Sequence, residues 1–286
     1  KSVSIAGRII SIRKMGKSSF LNIKDMSSKI QVYTNNNNLP ENIYDIIVRK
    51  LDIGDNVGIK GKVFFTKTNE LSINADEIQL LSKNLHPLPN MKEKDGELFF
   101  SFDDKEHRYR KRYLDLIIND DSKDVFIKRF KIINKIRNYL NDNKFIEVET
   151  PILQPLYGGA NARPFTTYHN TLDQKLYLRI ADELYLKRLI VGGFEKVYEI
   201  SKNFRNEGMD KNHNPEFTML EFYSAYSDVY DMMKLTEGMI KNLINDLNFE
   251  IEGIDFNKKF DIFNFFEILD KSSNSDVSKM DTNQIH

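Results

Sequence analysis

The sequence has 286 residues, of which 40% are hydrophobic and 29% charged, which is enough for one large domain or two ordinary ones. Lys and Arg together number 42, as do Asp and Glu, so composition alone gives no support for nucleic-acid binding and any basic surface must be local. The absence of cysteine excludes disulfides, thiolate metal sites and a cysteine nucleophile. No apolar run approaches the roughly 20 residues that cross a bilayer, so we expect no membrane partner.

Residues 1–82 form a series of short segments in which apolar and polar residues alternate, the pattern of half-buried strands. Glycines separate these segments, and one helical segment lies at 39–51, between the third and fourth strands. Four or five short strands with a helix in this place predict a small closed barrel of the oligonucleotide-binding (OB) type, to which we assign residues 1–84. Two prolines, a glycine and a charge cluster then predict a linker over 85–100.

From residue 101 the pattern changes to a mixture of helices and strands, and we assign 101–286 to a second domain. Helices are predicted at 122–143, with a cap near Ser122, at 181–193 and at 228–247. Strands are predicted at FIEVETPIL, ended by Pro151, at 196–205 and at 216–226. Residues 250–286 alternate poorly and predict a frayed end or an interrupted domain. The class is therefore α+β, with helices packed on an antiparallel sheet.

Glu221 is unusual because it lies in TMLEFYSAY, an otherwise nearly uncharged strand segment. A carboxylate there is costly to desolvate without a cationic partner. Glu221 is therefore a structural ion pair, an edge-strand charge or, with the Tyr223 hydroxyl on the same side, part of a pocket for an ammonium group. In the preceding strand one face collects Glu195, Val197, Glu199, Ser201, Asn203 and Arg205.

The loop in FRNEGMDKNHNPEF collects side chains that bind anions. Arg205 offers a guanidinium at a strand end, suited to bidentate contact with carboxylate or phosphate, and His213 and Asn214 add donors. Alone this pattern is weak, because loops are usually polar and a single histidine is more often structural than catalytic.

Three other features each have two interpretations. The Gly-Gly turn of PLYGGANARPF either lets the backbone approach a ligand or is an ordinary tight turn. Glu183 lies near the start of a predicted helix, where the macrodipole favours a carboxylate, so it is either a binding residue or a plain cap. In the barrel, Phe20, Gln31 and Glu70 have the chemistry to stack on and read unpaired bases, although a strand phenylalanine is more often core. The phosphate-loop, HExxH and GxSxG motifs do not occur in the sequence.

Several motifs occur together and in order: AGRI, FLNIKD, KIQVY, NELSI, RYRKRYLDL, FIEVETPIL, GGANARPF, YLRIADELYLKRLIVGGFEKVYEI, FRNEGMDKNHNPEF and EFYSAY. In these motifs, over nearly its whole length, the chain resembles the class II lysyl-tRNA synthetases of the bacterial and organellar kind. The resemblance implies an N-terminal OB barrel that binds the anticodon, followed by a class II synthetase antiparallel sheet with flanking helices. It also implies that ATP and L-lysine form lysyl-adenylate and that lysine then passes to tRNA(Lys), in the cytoplasm or in a plastid or mitochondrion.

The same resemblance gives roles to residues of the loop. Arg205 would bind the α-phosphate of ATP and the carboxylate of lysine, and Glu207 would contact the adenine side. His213, Asn214 and Phe217 would hold the triphosphate and stack on adenine. The helix and strand of 122–151 would build a homodimer interface around Pro151.

The resemblance also implies two sets of binding residues. In the lysine pocket, Glu183 would meet the α-ammonium, and Glu221 and Tyr223 would lie toward the ε-ammonium. The full pocket would comprise Gly159, Glu183, Arg205, Glu221 and Tyr223. The anticodon contacts would come from Arg13, Phe20, Gln31 and Glu70.

One departure from the family pattern leaves alternatives open. The family's third motif, Gly-x-Gly-x-x-Arg after a Glu-Leu-Asn stretch, does not occur here; the acidic Mg²⁺ ligands are expected with it, so no residue of this chain is assigned to a metal. We expect a piece of a longer protein with material missing upstream of Lys1, an incompletely recorded sequence or a degenerate paralogue. The alternatives are a non-catalytic tRNA- or RNA-binding paralogue and an asparaginyl- or aspartyl-tRNA synthetase; Glu183, Glu221 and Tyr223 weigh against the latter.

Overall fold

The computed structural model describes residues 1–89, 91–94, 97–100, 102, 104–247, 252–273 and 276–281. The chain divides into two compact units, Lys1–Val125 and Phe126–His286. Among the described residues, no helix combines the length and apolar character that a membrane span requires.

The first unit contains a closed five-stranded barrel, as the alternating pattern predicted. The strands follow the order β1-β2-β3-β5-β4, and β1 pairs with both β2 and β4 to close the barrel. Every pairing is antiparallel except that of β3 with β5. The strands are β1 (Ser2–Met15), β2 (Ser18–Lys24), β3 (Lys29–Asn35), β4 (Asn56–Phe65) and β5 (Leu71–Ser82).

The barrel interior is filled by aliphatic side chains from alternate strand positions, among them Leu21, Val32 and Ile73. The helical segment predicted at 39–51 is confirmed in type, but it is short: α1 (Ile43–Ile46) and a 3₁₀ turn at Val48–Lys50. It contributes Tyr44 to the core, where the phenol oxygen lies 2.7 Å from Ser19 Oγ. This hydrogen bond satisfies two buried hydroxyl groups.

The segment predicted as a linker carries a two-stranded hairpin, β6 (Met91–Lys94) and β7 (Glu97–Phe100). Three helices follow: α2 (Lys105–Arg110), α3 (Arg112–Ile118) and α4 (Asp120–Asp142). The prediction that α4 is capped near Ser122 is wrong, because the helix begins at Asp120. The Ser122 hydroxyl instead accepts a hydrogen bond of 3.0 Å from Arg108 Nη2 of α2.

Asp115 is fully buried where these helices meet. Its carboxylate accepts hydrogen bonds from Arg108 Nε at 2.7 Å, from Asn119 Nδ2 at 2.7 Å and from the Arg112 guanidinium. Burial raises the pKa of Asp115, but the hydrogen bonds from Asn119, Ser122 and the two arginines outweigh it and hold that pKa well below its usual range. This ion cluster therefore ties α3 to α2.

The second unit contains two small sheets. One has the order β13-β12-β8, and its long hairpin consists of β12 (Lys196–Phe204) and β13 (Glu216–Ser224), joined over nine residue pairs, with β8 (Ile146–Glu147) parallel to β12. The other has the order β10-β11-β9 and consists of β9 (Leu153–Gln154), β10 (Thr166–His169) and β11 (Gln174–Leu178). The helices are α5 (Glu183–Val191), α6 (Val229–Leu247) and α7 (Phe265–Ser273).

One prediction for this unit is wrong, and one segment is more regular than its pattern suggested. FIEVETPIL is not one strand: only Ile146 and Glu147 pair with β12 as β8, because the Thr150 N–H donates to the Glu199 carboxylate at 3.2 Å and Pro151 has no N–H to offer. Within 250–286, predicted to be a frayed end or an interrupted domain, residues 265–273 form the regular helix α7. Their apolar residues do recur at helical spacing, but over barely two turns.

Strand β12 has two chemically different faces, as its alternation predicted. Tyr198 is fully buried and packs in an apolar cluster with Leu140 and Phe145. On the opposite face Ser201 and Asn203 are buried and polar, and both donate hydrogen bonds to Asp182. This polar face lies beneath the candidate site.

Candidate functional site

Arg205 follows directly after β12, at the neck of the loop that joins it to β13. Its N–H donates to the carbonyl of Pro215 at 2.8 Å, which closes the neck. Its guanidinium carbon lies 5.2 Å from the centroid of the Phe217 ring, and Nε donates to the carbonyl of Ile180 at 3.4 Å. The two contacts leave the terminal nitrogens of this half-buried guanidinium available for an anion.

The outer part of the loop is exposed. His213 Nδ1 lies 2.8 Å from the Asp210 carboxylate, whose pKa is lowered by the Asn212 N–H and by the His213 ring. The side chains of Glu207 and Asn214 are exposed. Of the predicted loop residues, the structure thus brings Arg205 and Phe217 together, whereas His213, Asn214 and Glu207 extend into solvent.

Glu221 and Tyr223 lie on the same face of β13, as predicted. The Tyr223 hydroxyl donates to Glu221 Oε2 at 3.0 Å. Burial raises the pKa of Glu221, and the negative charges of Asp182 and Glu183 raise it further. Burial and the adjacent Glu221 charge also raise the pKa of Tyr223. In the free site the pKa of both groups is therefore higher than usual.

Glu183 is the first residue of α5 and pairs with Lys187 one turn later. The Lys187 ammonium lies 6.0 Å from the centroid of the Tyr223 ring, so it stands beside the same group of side chains. Gly159 approaches them from the loop after β9 with φ of +87°. A Cβ at Gly159 would lie 2.9 Å from Glu183 Cβ and 3.0 Å from Ala181 Cβ, so both the backbone conformation and the space require glycine.

A second candidate surface lies on the barrel, over β2, β3 and β4. The rings of Phe20 and Tyr33 lie 5.0 Å apart, and Tyr33 and Phe64 lie 6.4 Å apart. The Gln31 side-chain amide donates to Glu70 at 2.9 Å. These side chains border a concavity of about 410 Å³ whose lining includes Arg13, Phe20, Gln31, Tyr33, Phe64 and Glu70. The four residues predicted to contact an anticodon therefore lie around one concavity with two further aromatic rings.

Comparison with known proteins establishes the family. The model for class II tRNA synthetases (D, K and N) matches residues 104–285, and the model for the OB-fold nucleic acid binding domain matches residues 3–81. The chain belongs to the class II tRNA synthetase family. The OB barrel and α+β class that the sequence predicted are thereby confirmed.

Individual relatives of this synthetase chain are named lysine–tRNA ligase. The relative from Idiomarina loihiensis is 51% identical over 275 residues, which is 94% of this chain and 53% of the relative. The relative from Porphyromonas gingivalis is 48% identical over 291 residues, 98% of this chain and 50% of the relative. The chain spans about half the length of the curated relatives it matches. These similarities confirm the resemblance to lysyl-tRNA synthetases.

Sequence reasoning missed a buried polar network beneath the candidate site. Arg179 bridges two carboxylates, with Nη1 2.8 Å from Glu199 Oε1 and Nε 3.2 Å from Asp182 Oδ1. The Thr150 hydroxyl donates to Glu199 at 2.6 Å, and the Ser201 hydroxyl donates to Asp182 at 2.6 Å. Part of the signal was present, because alternation placed Glu199 and Ser201 on one face of their strand; the partners Arg179 and Asp182 come from another segment.

Metal binding has no candidate site in the described part of the chain. No group of three or more His, Asp or Glu side chains there is arranged to hold a metal ion. No residue in this part of the chain is therefore assigned to Mg²⁺.

Proposed function

We propose that the protein carrying this chain is a lysyl-tRNA synthetase, which activates L-lysine with ATP and transfers lysine to tRNA(Lys) in the cytoplasm. The observation that carries the proposal is Glu221, half-buried, bonded to Tyr223 and close to the charges of Asp182 and Glu183. Such a group of acids favours a cationic ligand, because the positive charge of an ammonium group would stabilise the ionised form of Glu221. Lysine has two ammonium groups.

The acids also account for selectivity against related substrates. An aspartate side chain would place a negative charge against Glu221, and an asparagine amide would leave this carboxylate without a counter-charge. A site with buried polar groups rejects substrates that leave those groups unpaired. In this proposal Glu183 binds the α-ammonium, Glu221 and Tyr223 bind the ε-ammonium, and the main chain at Gly159 lines the pocket beside Glu183.

Adenylate formation requires orientation and charge stabilisation but no protein nucleophile. A carboxylate oxygen of lysine attacks the α-phosphorus of ATP, the bond to the bridging oxygen breaks, and pyrophosphate leaves with the electron pair. Arg205, held over Phe217, binds both reacting anions and offsets their repulsion. Glu207, His213, Asn214 and Phe217 contact the rest of ATP, and Mg²⁺ would supply further charge neutralisation on the phosphates.

Two surfaces support the proposed macromolecular partners. The barrel concavity, with its aromatic rings and the Gln31–Glu70 pair, suits unstacked anticodon bases of tRNA(Lys). The homodimer would form through residues 122–151, where the half-exposed Phe126 and the exposed Phe130 of α4 and Ile146 of β8 present apolar area.

The experiment is lysine-dependent ATP–pyrophosphate exchange by the full-length gene product. We expect exchange with lysine, none with asparagine or aspartate, and loss of exchange in Arg205→Ala with an unchanged thermal unfolding temperature. Arg49→Ala is the matched control, because it removes an exposed guanidinium paired only locally with Asp45 in the barrel. Exchange with asparagine would refute the choice of substrate, and RNA binding without any exchange would establish a non-catalytic paralogue.

A further inference from the structure

Asp182 directly precedes α5 but does not cap it, because its side chain accepts no hydrogen bond from the N–H groups of the first turn. Aspartate is ordinarily favoured there because it accepts those N–H groups. Here Oδ2 instead accepts from the Ser201 hydroxyl at 2.6 Å and from Asn203 Nδ2 at 3.4 Å, both on β12. The carboxylate is thus turned away from its own helix and toward the strand.

The surroundings of Asp182 make it energetically unfavourable to bury a carboxylate there. The residue is fully buried, and its counter-charge, Arg179, also pairs with Glu199. One guanidinium therefore serves two buried carboxylates, and burial raises the pKa of Asp182. Capping does not account for an acid at this position; what the buried carboxylate provides is an acceptor for Ser201 and Asn203 of β12.

Asp182 is also linked to both acids of the proposed amino-acid pocket. It precedes Glu183 in the chain, so fixing Asp182 fixes the start of α5. Glu183 has little freedom there, because Gly159 packs closely against Glu183 and Ala181. Asp182 also lies close to Glu221: a hydrogen bond from its main chain lowers the pKa of Glu221, and its negative charge raises that pKa.

We propose that Asp182 is a positioning residue that clamps the start of α5 to β12 and thereby sets the separation of Glu183 and Glu221. It would not touch the substrate. This inference rests on the proposed function, in which those two acids bind the two ammonium groups of lysine. Ser201 and Asn203 both donate to one oxygen of Asp182, and an asparagine side-chain oxygen can accept the same two hydrogen bonds, so the hydrogen-bonding shape is what matters. Asparagine should therefore replace Asp182 well, and alanine should not.

The test is pyrophosphate exchange by the full-length gene product with L-lysine and with L-ornithine, whose side chain is one methylene shorter. In Asp182→Ala we expect the KM for lysine to rise about 10- to 100-fold, since small displacements of a binding group have effects of that size. The KM for ATP should stay within about twofold, because ATP binds outside this pocket. The preference for lysine over ornithine should narrow about tenfold, because that preference depends on the pocket. Asp182→Asn should restore both values to within about threefold, as expected for a retained hydrogen-bonding shape.

Tyr198→Phe is the matched control, because it removes a buried hydroxyl from the opposite face of β12, where Tyr198 contacts Asn141 and Glu147. It should lower the unfolding temperature without changing the lysine KM or the ornithine preference. If Asp182→Ala does not fold, Ser201→Ala takes its place. It removes the 2.6 Å contact with Asp182, together with the 3.3 Å hydrogen bond that the same hydroxyl accepts from Asn203, and should shift the lysine KM and the preference in the same direction.

Three outcomes would overturn the inference. They are an unchanged lysine KM in Asp182→Ala or its substitute, equal rises in the KM for lysine and for ATP, and failure of Asp182→Asn to restore the preference. Absence of lysine-dependent exchange in the unsubstituted protein would refute the proposed function and this inference with it. Normal exchange by the unsubstituted protein with any of the three outcomes would refute the inference alone.

Discussion

Replacing Glu221 by glutamine removes one negative charge from the proposed lysine pocket and changes little else. The side-chain amide has nearly the same size, and its oxygen can still accept the hydrogen bond that Tyr223 donates at 3.0 Å. The substitution should therefore separate the effect of charge on ligand binding from its effect on packing.

The expected effects on affinity and on stability have opposite signs. A hydrogen bond to a charged group is worth about 1.5–3 kcal/mol. At about 1.4 kcal/mol per factor of ten, the KM for lysine should rise about 10- to 150-fold. In the free protein, however, burial and the charges of Asp182 and Glu183 raise the pKa of Glu221. Ionised Glu221 therefore opposes folding at neutral pH, and Glu221→Gln should raise the unfolding temperature.

Two measurements on the full-length gene product check this prediction: the lysine KM in pyrophosphate exchange and the thermal unfolding temperature without ligand. Glu77→Gln is the control, because Glu77 forms an exposed barrel ion pair with Lys60 and should leave both quantities nearly unchanged. An unchanged lysine KM, or a rise in KM accompanied by a lower unfolding temperature, would refute the role given to Glu221.

Two further predictions concern the first unit. Because the pKa of Asp115 is lower in the folded protein, its carboxylate stabilises the fold fully above about pH 4, the pKa of an unfolded-state aspartate, and this stabilisation is lost as pH falls further. Asp115→Asn should lower the free energy of unfolding at pH 7. It should also make that free energy, measured by urea unfolding, depend less on pH in the acid range. Phe20→Ala should weaken binding of an anticodon stem-loop of tRNA(Lys) by about 1–3 kcal/mol in a fluorescence titration, the range for one stacked base. Phe65→Ala, which removes an exposed barrel ring outside the concavity lining, should have a smaller effect, and equal losses would contradict the assignment.

Local regularities made much of this fold predictable from the sequence. Strand alternation places side chains two residues apart on one face, which is why the contact between Glu221 and Tyr223 could be foreseen. The same alternation, with glycines between segments, predicted the barrel, and helical periodicity predicted α4, α5 and α6. Their ends were less accurate, since Ser122 bonds to Arg108 instead of capping α4.

The remaining features depend on contacts between residues distant in sequence. Arg179 and Glu199 are 20 residues apart and belong to different segments, so no local pattern joins them. The short β8 has the same origin, because the Thr150 N–H donates to the Glu199 side chain, 49 residues away. Asp182 precedes α5 at a position where a capping residue is ordinary, and its contacts with Ser201 and Asn203 distinguish it from a cap. Where a polar side chain finds its partner is decided by tertiary packing.

Because β12 and β13 pair over nine residues, the loop between them can change without moving the pocket side chains Glu221 and Tyr223. The pairing fixes Phe204 opposite Glu216, and the hydrogen bond from Arg205 N–H to Pro215 closes the neck just beyond it. Residues 206–214 can therefore change in length at a small entropic cost without displacing Glu221. One residue inserted within β13 would instead turn Glu221 to the opposite face of the sheet. Exchange of the loop between family members should thus alter the proposed nucleotide contacts while leaving the proposed choice of amino acid intact.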